Sequence, residues 1–169
     1  MLTPEEIISR LQLQPHPLEG GYFRETHRTK EVVLASYLPR HAGNRSLGTA
    51  IYYLLTRNCV SEMHQLPGDE VFHFYLGDPV EQLQLFPDGS SLNVILGVDL
   101  SAGQQPQVVV PGGVWQGAFR LEGPHGYSLL GATMAPGFDY ADYERGQRSQ
   151  LIQSWPSQRT LIERLTPLG

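Results

Sequence analysis

Cysteine is almost absent from the chain, which has one, Cys59. A single thiol cannot close an intrachain disulfide, so nothing ties the fold to an oxidising compartment. Cys59 lies in a strand-like stretch with no second cysteine or histidine at ligand spacing, and it reads as a buried, inert thiol. Long apolar runs are missing as well. No stretch approaches the ~20 apolar residues that span a bilayer, and the first residues lack the basic and then apolar pattern of a secretory signal. The expectation is a cytoplasmic protein with no membrane partner. Basic runs are the third absence. The 12 Lys and Arg are dispersed and the 17 Asp and Glu outnumber them, giving a net charge of −5. A phosphate-backbone binder normally carries a basic patch, so no nucleic-acid partner is expected.

Turn-forming residues, by contrast, are plentiful: 18 Gly and 13 Pro are scattered through 169 residues. Turns at short spacing suggest an all-β architecture. The length suits one domain with a proper core, here residues 1–169. The chain opens helically over about 3–13. Thr3 caps, Pro4 takes the first helical position and Glu6 completes a capping box. Ile7, Ile8 and Leu11 then recur at helical spacing, and Pro15 ends the run.

From about residue 20 to 135 the signal is a core barrel of short strands. Runs are read near Gly21–His27, Val32–Leu38, Ala50–Thr56, Cys59–Leu66, Glu70–Leu76, Val80–Phe86, Ser91–Gly97, Gln107–Val110, Trp115–Leu121 and Tyr127–Met134. Asp88-Gly89 marks a tight hairpin. Strands without intervening helices favour a closed or sandwiched β fold. Asp139–Glu144 lacks the Gly and alternating carboxylates of a calcium loop and reads as a solvated helix start. Helical spacing returns over 148–165, split by Pro156.

Four motifs carry a resemblance. They are His16 to Glu25 (HPxEGGYFRE), Asp69 to Gly77 (DExxHFYxG), Val109 to Ala118 (VVPxGxWxGA) and Ala135 to Asp139 (APGFD). Together they resemble a family of small single-domain cupins without a settled biochemical function, whose fold and pocket are compared with those of deoxysugar-nucleotide 3,5-epimerases. The resemblance covers nearly the whole chain. It implies a cupin jelly-roll barrel with short N- and C-terminal helices, the C-terminal ones outside a sheet, and a homodimer. His64, Glu70 and Gly77 fall on the first cupin motif, HxHxxxE with a later Gly. Pro111 and Gly113 fall on the second, PxGxxH. Leu66 and Gln116 stand where two histidine ligands are usual.

Leu cannot ligate a metal, and an amide oxygen is a weak ligand for a transition ion. One imidazole, one carboxylate and one amide suit hydrogen bonding or proton transfer better. No metal and no cofactor are therefore expected. His64 and Glu70 are the candidate catalytic residues. Gln116, Trp115, Tyr53, Tyr75, His73 and Arg24 are candidate ligand contacts around them, Arg24 as a fork for a phosphate or carboxylate. The ligand is a small polar molecule. The functional expectation is a small-molecule-binding cupin, epimerase- or isomerase-like on a sugar derivative. Two alternatives stay open: a non-catalytic binder, and a metal-dependent oxygenase with His64, Glu70 and His73 as a rearranged ligand set.

Overall fold

The computed structural model describes residues 2–166. Helix α1 (Pro4–Leu11) leads into β1 (Gln14–Pro15), β2 (Tyr22–Arg28) and β3 (Val32–Val33). After a 3₁₀ turn come β4 (Arg45–Ser46), β5 (Thr49–Thr56), β6 (Ser61–Gln65), β7 (Glu70–Gly77), β8 (Val80–Leu85) and β9 (Ser91–Leu96). Strands β10 (Gln107–Val110), β11 (Trp115–Arg120), β12 (Tyr127–Met134) and β13 (Glu144–Arg145) follow, and the chain closes with α2 (Arg148–Ser154) and α3 (Arg159–Leu165).

The strands form two facing antiparallel sheets, ordered β1-β2-β5-β12-β7-β10 and β13-β6-β11-β8-β9, with β3–β4 as a small separate pair. This is the expected all-β jelly roll. Period-2 alternation sorts side chains between its inner and outer layers. On β5 and β12, Tyr53, Leu55, Leu130 and Ala132 point inward to a core shared with Phe72, Phe74, Val80 and Val110. Their neighbours Leu54, Tyr127 and Leu129 point outward, where Ile7 of α1 and Leu13 cover them. On the other sheet, Met63, Leu83, Leu85 and Phe119 point outward and are buried by Leu151, Ile162 and Leu165 of the C-terminal helices.

The ends follow from local chemistry. Thr3 Oγ1 accepts from Glu6 N at 3.2 Å and Glu6 Oε2 accepts from Thr3 N at 2.8 Å, the capping box read from the sequence. Three expectations need correction. The run at Val32–Leu38 is a two-residue strand followed by a 3₁₀ turn over Ala35–Tyr37, because it lies outside both large sheets and has only β4 to pair with. Cys59 is only half-buried, and its Sγ accepts from Thr56 N at 3.2 Å. The 139–144 segment is no solvated helix. Its Asp142 is buried between Arg45 (2.5 Å) and His41 (3.1 Å), and this pins Tyr140 and Tyr143 over the barrel. No helix among the described residues is long and apolar enough to cross a membrane.

Candidate functional site

The barrel interior holds polar groups that a purely structural core would avoid. His64 is 1% exposed, Gln116 2% and Glu70 8%. Strand pairing explains why they meet. His64 of β6 is directly opposite Gln116 of β11, and β7 brings Glu70 in from the facing sheet. Gln116 Nε2 donates to Glu70 Oε2 at 2.7 Å. Behind it, Gln82 Nε2 lies 3.5 Å from Gln116 Oε1, and Gln84 Nε2 donates to Gln82 Oε1 at 3.0 Å. Three buried amides thus point their donors in one direction, toward the Glu70 carboxyl. Such a network is tolerable in low dielectric because its members satisfy one another.

A second carboxyl shares this interior. Glu19 sits in the loop between β1 and β2, held by Gly20 and Gly21. Both glycines have positive φ, +83° and +72°, and a Cβ would lie 2.6 Å from the Val60 carbonyl at Gly20 and 2.8 Å from the Leu54 carbonyl at Gly21. Only glycine lets the loop come this close to the barrel. The Glu62 amide donates to the Glu19 carbonyl at 2.8 Å, and the Tyr53 hydroxyl donates to the Gly20 carbonyl at 2.9 Å. These bonds turn the Glu19 side chain inward.

Two histidines flank Glu19 Oε1, each with Nε2 at 3.8 Å. Those are contacts, too long for hydrogen bonds, and the tautomers differ. His16 Nδ1 accepts from the amides of Glu19 (2.9 Å) and Leu18 (3.3 Å), so its proton is on Nε2. His64 Nδ1 lies 2.7 Å from the Glu62 carbonyl and carries the proton there. Its Nε2 is therefore bare, buried and without a partner among the described residues. Tyr143 stacks on the His64 ring at 5.2 Å and seals it from solvent.

Burial dominates the electrostatics. It lifts the Glu19 carboxyl to about 8, against a smaller opposing effect from Ser61. It lifts Glu70 to about 7; the Glu19 charge acts the same way, while His64 and Gln116 oppose it. Desolvation pushes His16 down to about 4, with His64 adding to it, and also lowers His64. Near neutral pH both imidazoles are uncharged, so neither contact with Glu19 is an ion pair.

Glu19 and Glu70 open onto a cavity of about 60 Å³. Its remaining wall is mainly apolar and aromatic, with Phe23, Ile51, Met134, Phe138 and Tyr140, and Glu25 and Arg28 also line it. A register shift between Glu25 and His27 lets β2 present both Glu25 and Arg28 to this side.

Of the residues singled out from the sequence, His64, Glu70 and Gln116 come together; Glu70 is on the cavity wall, with His64 and Gln116 in the layer behind. Tyr53 is a buried core residue that holds the Gly20 carbonyl. Four expected contacts lie elsewhere. Trp115 neighbours Gln116 on one strand, so it faces outward onto the cluster under the C-terminal helices. Tyr75 and His73 alternate with Phe72 and Phe74 and lie on the outer face of β7, their rings stacked at 6.5 Å. Arg24 is on the outer face of β2, its guanidinium 5.6 Å from the Tyr52 ring centroid, while Glu25 takes the inward place. Sequence reasoning missed Glu19 and His16, although both lie in the HPxEGG stretch.

The usual cupin metal positions do not suit an ion here. Leu66 offers no donor atom, and the Gln116 amide is engaged at both ends, by Glu70 and by Gln82. His73, the third member of the rearranged ligand set, is on the wrong face of its strand. Among the described residues no group of three or more His, Cys, Asp or Glu could hold an ion.

The protein-family profile described as Cupin superfamily (DUF985) matches residues 5–145. An uncharacterised protein of Saccharomyces cerevisiae is 31% identical over 82% of this chain and 73% of its own length. A solved hypothetical protein from Leishmania major superposes with a TM-score of 0.88 at 31% identity, covering 99% of this chain and all of that one. The solved protein SO0799 from Shewanella oneidensis gives 0.88 at 30% identity over the whole of both chains. A variant of Bacillus subtilis oxalate decarboxylase gives 0.54 at 13% identity, covering 92% of this chain and 38% of the decarboxylase. At that identity the likeness is one of fold alone.

Proposed function

The chain belongs to the DUF985 family of the cupin superfamily, and we propose that it is a small-molecule-binding cupin whose cavity moves protons without a metal, as an epimerase or isomerase does. The observation that carries this reading is the pair of buried carboxyls, Glu19 and Glu70, on the wall of one cavity. General acid–base catalysis works best with groups poised near the operating pH. A pair of titratable groups whose surroundings set them apart suggests an assignment of roles. Burial raises both carboxyls above the ordinary range; His64 and the Gln116 amide favour the charged form of Glu70, which is the base, and Glu19 beside it is the acid.

The remaining residues serve these two. The Gln84–Gln82–Gln116 series fixes Glu70 through Oε2 and leaves Oε1 without a protein donor among the described residues. His64 acts through Glu19: its neutral ring packs with the bare Nε2 3.8 Å from Glu19 Oε1, which makes it a positioning residue for that carboxyl. Size favours a compact substrate. A water needs ~10–15 Å³ on this scale, so a cavity of about 60 Å³ admits roughly four to six non-hydrogen atoms. A sugar derivative would place only its reacting part inside.

The test needs no prior substrate. The protein is incubated in D₂O with a panel of small hydroxy- and amino-carbonyl compounds, and loss of the C–H next to the carbonyl is followed by proton NMR. Exchange that disappears in Glu70→Gln is the expected result. No exchange with any compound, or equal exchange in the variant, would reduce the protein to a binder.

A further inference from the structure

Charge on the cavity wall sorts ligands by sign. Three carboxyls line it, Glu19, Glu25 and Glu70, against one cation, Arg28. That cation is already engaged. Arg28 Nε and Nη2 donate to the two Glu25 oxygens at 2.9 and 2.7 Å, and Nη2 also donates to the Phe138 carbonyl at 3.0 Å. An anion entering the cavity would meet carboxyls and no free counter-charge, at a steep desolvation cost. An ammonium group would find the unpartnered Glu70 Oε1. Phe23, Phe138 and Tyr140 form the aromatic part of the wall, and aromatic faces attract cations.

We infer that the cavity takes a small organic cation, a primary ammonium compound of roughly five non-hydrogen atoms, held between Glu19 and Glu70 with Phe23, Phe138 and Tyr140 around its carbon skeleton. The inference rests on the reading that this cavity is the functional site, and it holds with or without turnover. It excludes the phosphate or carboxylate that an inward-pointing Arg24 would have recognised.

Binding must then depend on pH through the carboxyls. Glu70 faces Glu19, His64 and Gln116. Glu19 faces His16 in its own loop, Ser61 and His64 of β6, Tyr53 of β5, and Tyr140 and Tyr143 of the 139–144 segment, with Glu62 and Arg145 further out. Desolvation holds both imidazoles neutral near pH 7 and raises all three tyrosines. The proton that leaves when the cation enters therefore comes from a carboxyl. Below the carboxyl midpoint, affinity therefore increases about tenfold for each unit that pH is raised, and it levels off above the midpoint.

The test uses three near-isosteric probes: ethanolamine, ethylene glycol and glycolate. Each is titrated into the intact protein by calorimetry in two buffers of different ionisation heat. Ethanolamine is expected to bind at least about tenfold tighter than the other two, the difference one charge-assisted hydrogen bond makes, and to release a proton below pH 7. Glu70→Gln and Glu19→Gln, each with an unchanged circular dichroism spectrum, are expected to remove that preference. Glycolate binding as tightly as ethanolamine, ethanolamine binding unchanged in both variants, or no saturable ethanolamine binding would each overturn the inference. Deuterium exchange without sign preference leaves the acid–base reading standing and sinks this one; sign-selective binding without exchange does the reverse.

Discussion

Replacing Glu70 with Gln should stabilise the protein above neutral pH and do little in acid. The carboxyl is about 8% exposed, and burial raises its pKa from the ordinary 4.5 to about 7. A group whose folded pKa lies above its unfolded one holds its proton more tightly when folded. Its contribution to stability is complete below 4.5, falls as pH rises through about 7, and is gone beyond. At about 1.4 kcal/mol for each tenfold in proton affinity, the change amounts to about 3 kcal/mol. The amide of Gln keeps an acceptor for Gln116 Nε2 and cannot ionise, so the variant lacks this pH dependence. Glu19 and His64 interact with the Glu70 charge, so the variant also eases the titration of Glu19, and Glu19→Gln alone serves as the control. Urea unfolding at pH 5 and pH 8 checks it. Because the unfolded carboxyl is already mostly ionised at pH 5, the variant-minus-wild-type difference should move by about 2–3 kcal/mol in favour of the variant, or about 4–12 °C in Tm for a domain of this size. A difference that does not change with pH would mean that Glu70 titrates like a surface carboxyl, and the reasoning about burial would be wrong.

Three further outcomes are expected. His64→Asn keeps the fold and most ligand affinity but lowers the deuterium-exchange rate about 10²-fold and moves the pH optimum, because the bare Nε2 facing Glu19 is lost; an unchanged rate and profile would remove His64 from the account. Asp142→Asn breaks the buried contacts to Arg45 and His41 and costs about 3–5 kcal/mol in urea unfolding; a loss under about 1 kcal/mol would show that the 139–144 segment is held some other way. Arg45 and His41 outweigh the burial of Asp142 and lower its pKa below 3.8, so the wild-type contribution is present above 3.8 and lost as pH falls through the lower folded value. Finally, β1, β10, β9 and β13 are sheet edges, which natural proteins cover or pair, so light scattering is expected to give a dimer mass; a monomer at micromolar concentration would contradict this.

Much of the architecture was legible because the strands obey simple patterns. The runs at Gln107–Val110 and Tyr127–Met134 have the same bounds in the sequence reading and in the structure. Short segments were missed: β1, β4 and β13 are two residues each, too brief for any period to register. Within the site, motif position brought His64, Glu70 and Gln116 together. The errors at Trp115, His73 and Tyr75 have one cause, since each differs by an odd number from an inward neighbour on its own strand, and parity places it outside. Arg24 was harder, because alternation on β2 sets Arg24 against Phe23 without saying which faces inward. Glu19 and His16 lie in a loop, where no periodicity exists. Their one local signal was the Gly20-Gly21 pair, which marks backbone pressed against a neighbouring strand and so a side chain carried with it.

The central claim is that Glu19 and Glu70 share one cavity and both titrate well above the ordinary carboxylate range. A carboxyl-selective ¹³C NMR titration of glutamate-labelled protein, assigned with Glu19→Gln and Glu70→Gln, measures this directly. Two resonances titrating at about 7 and about 8, one lost in each variant, are predicted. If every glutamate instead titrates near the ordinary 4.5, the acid–base account of this cavity is contradicted.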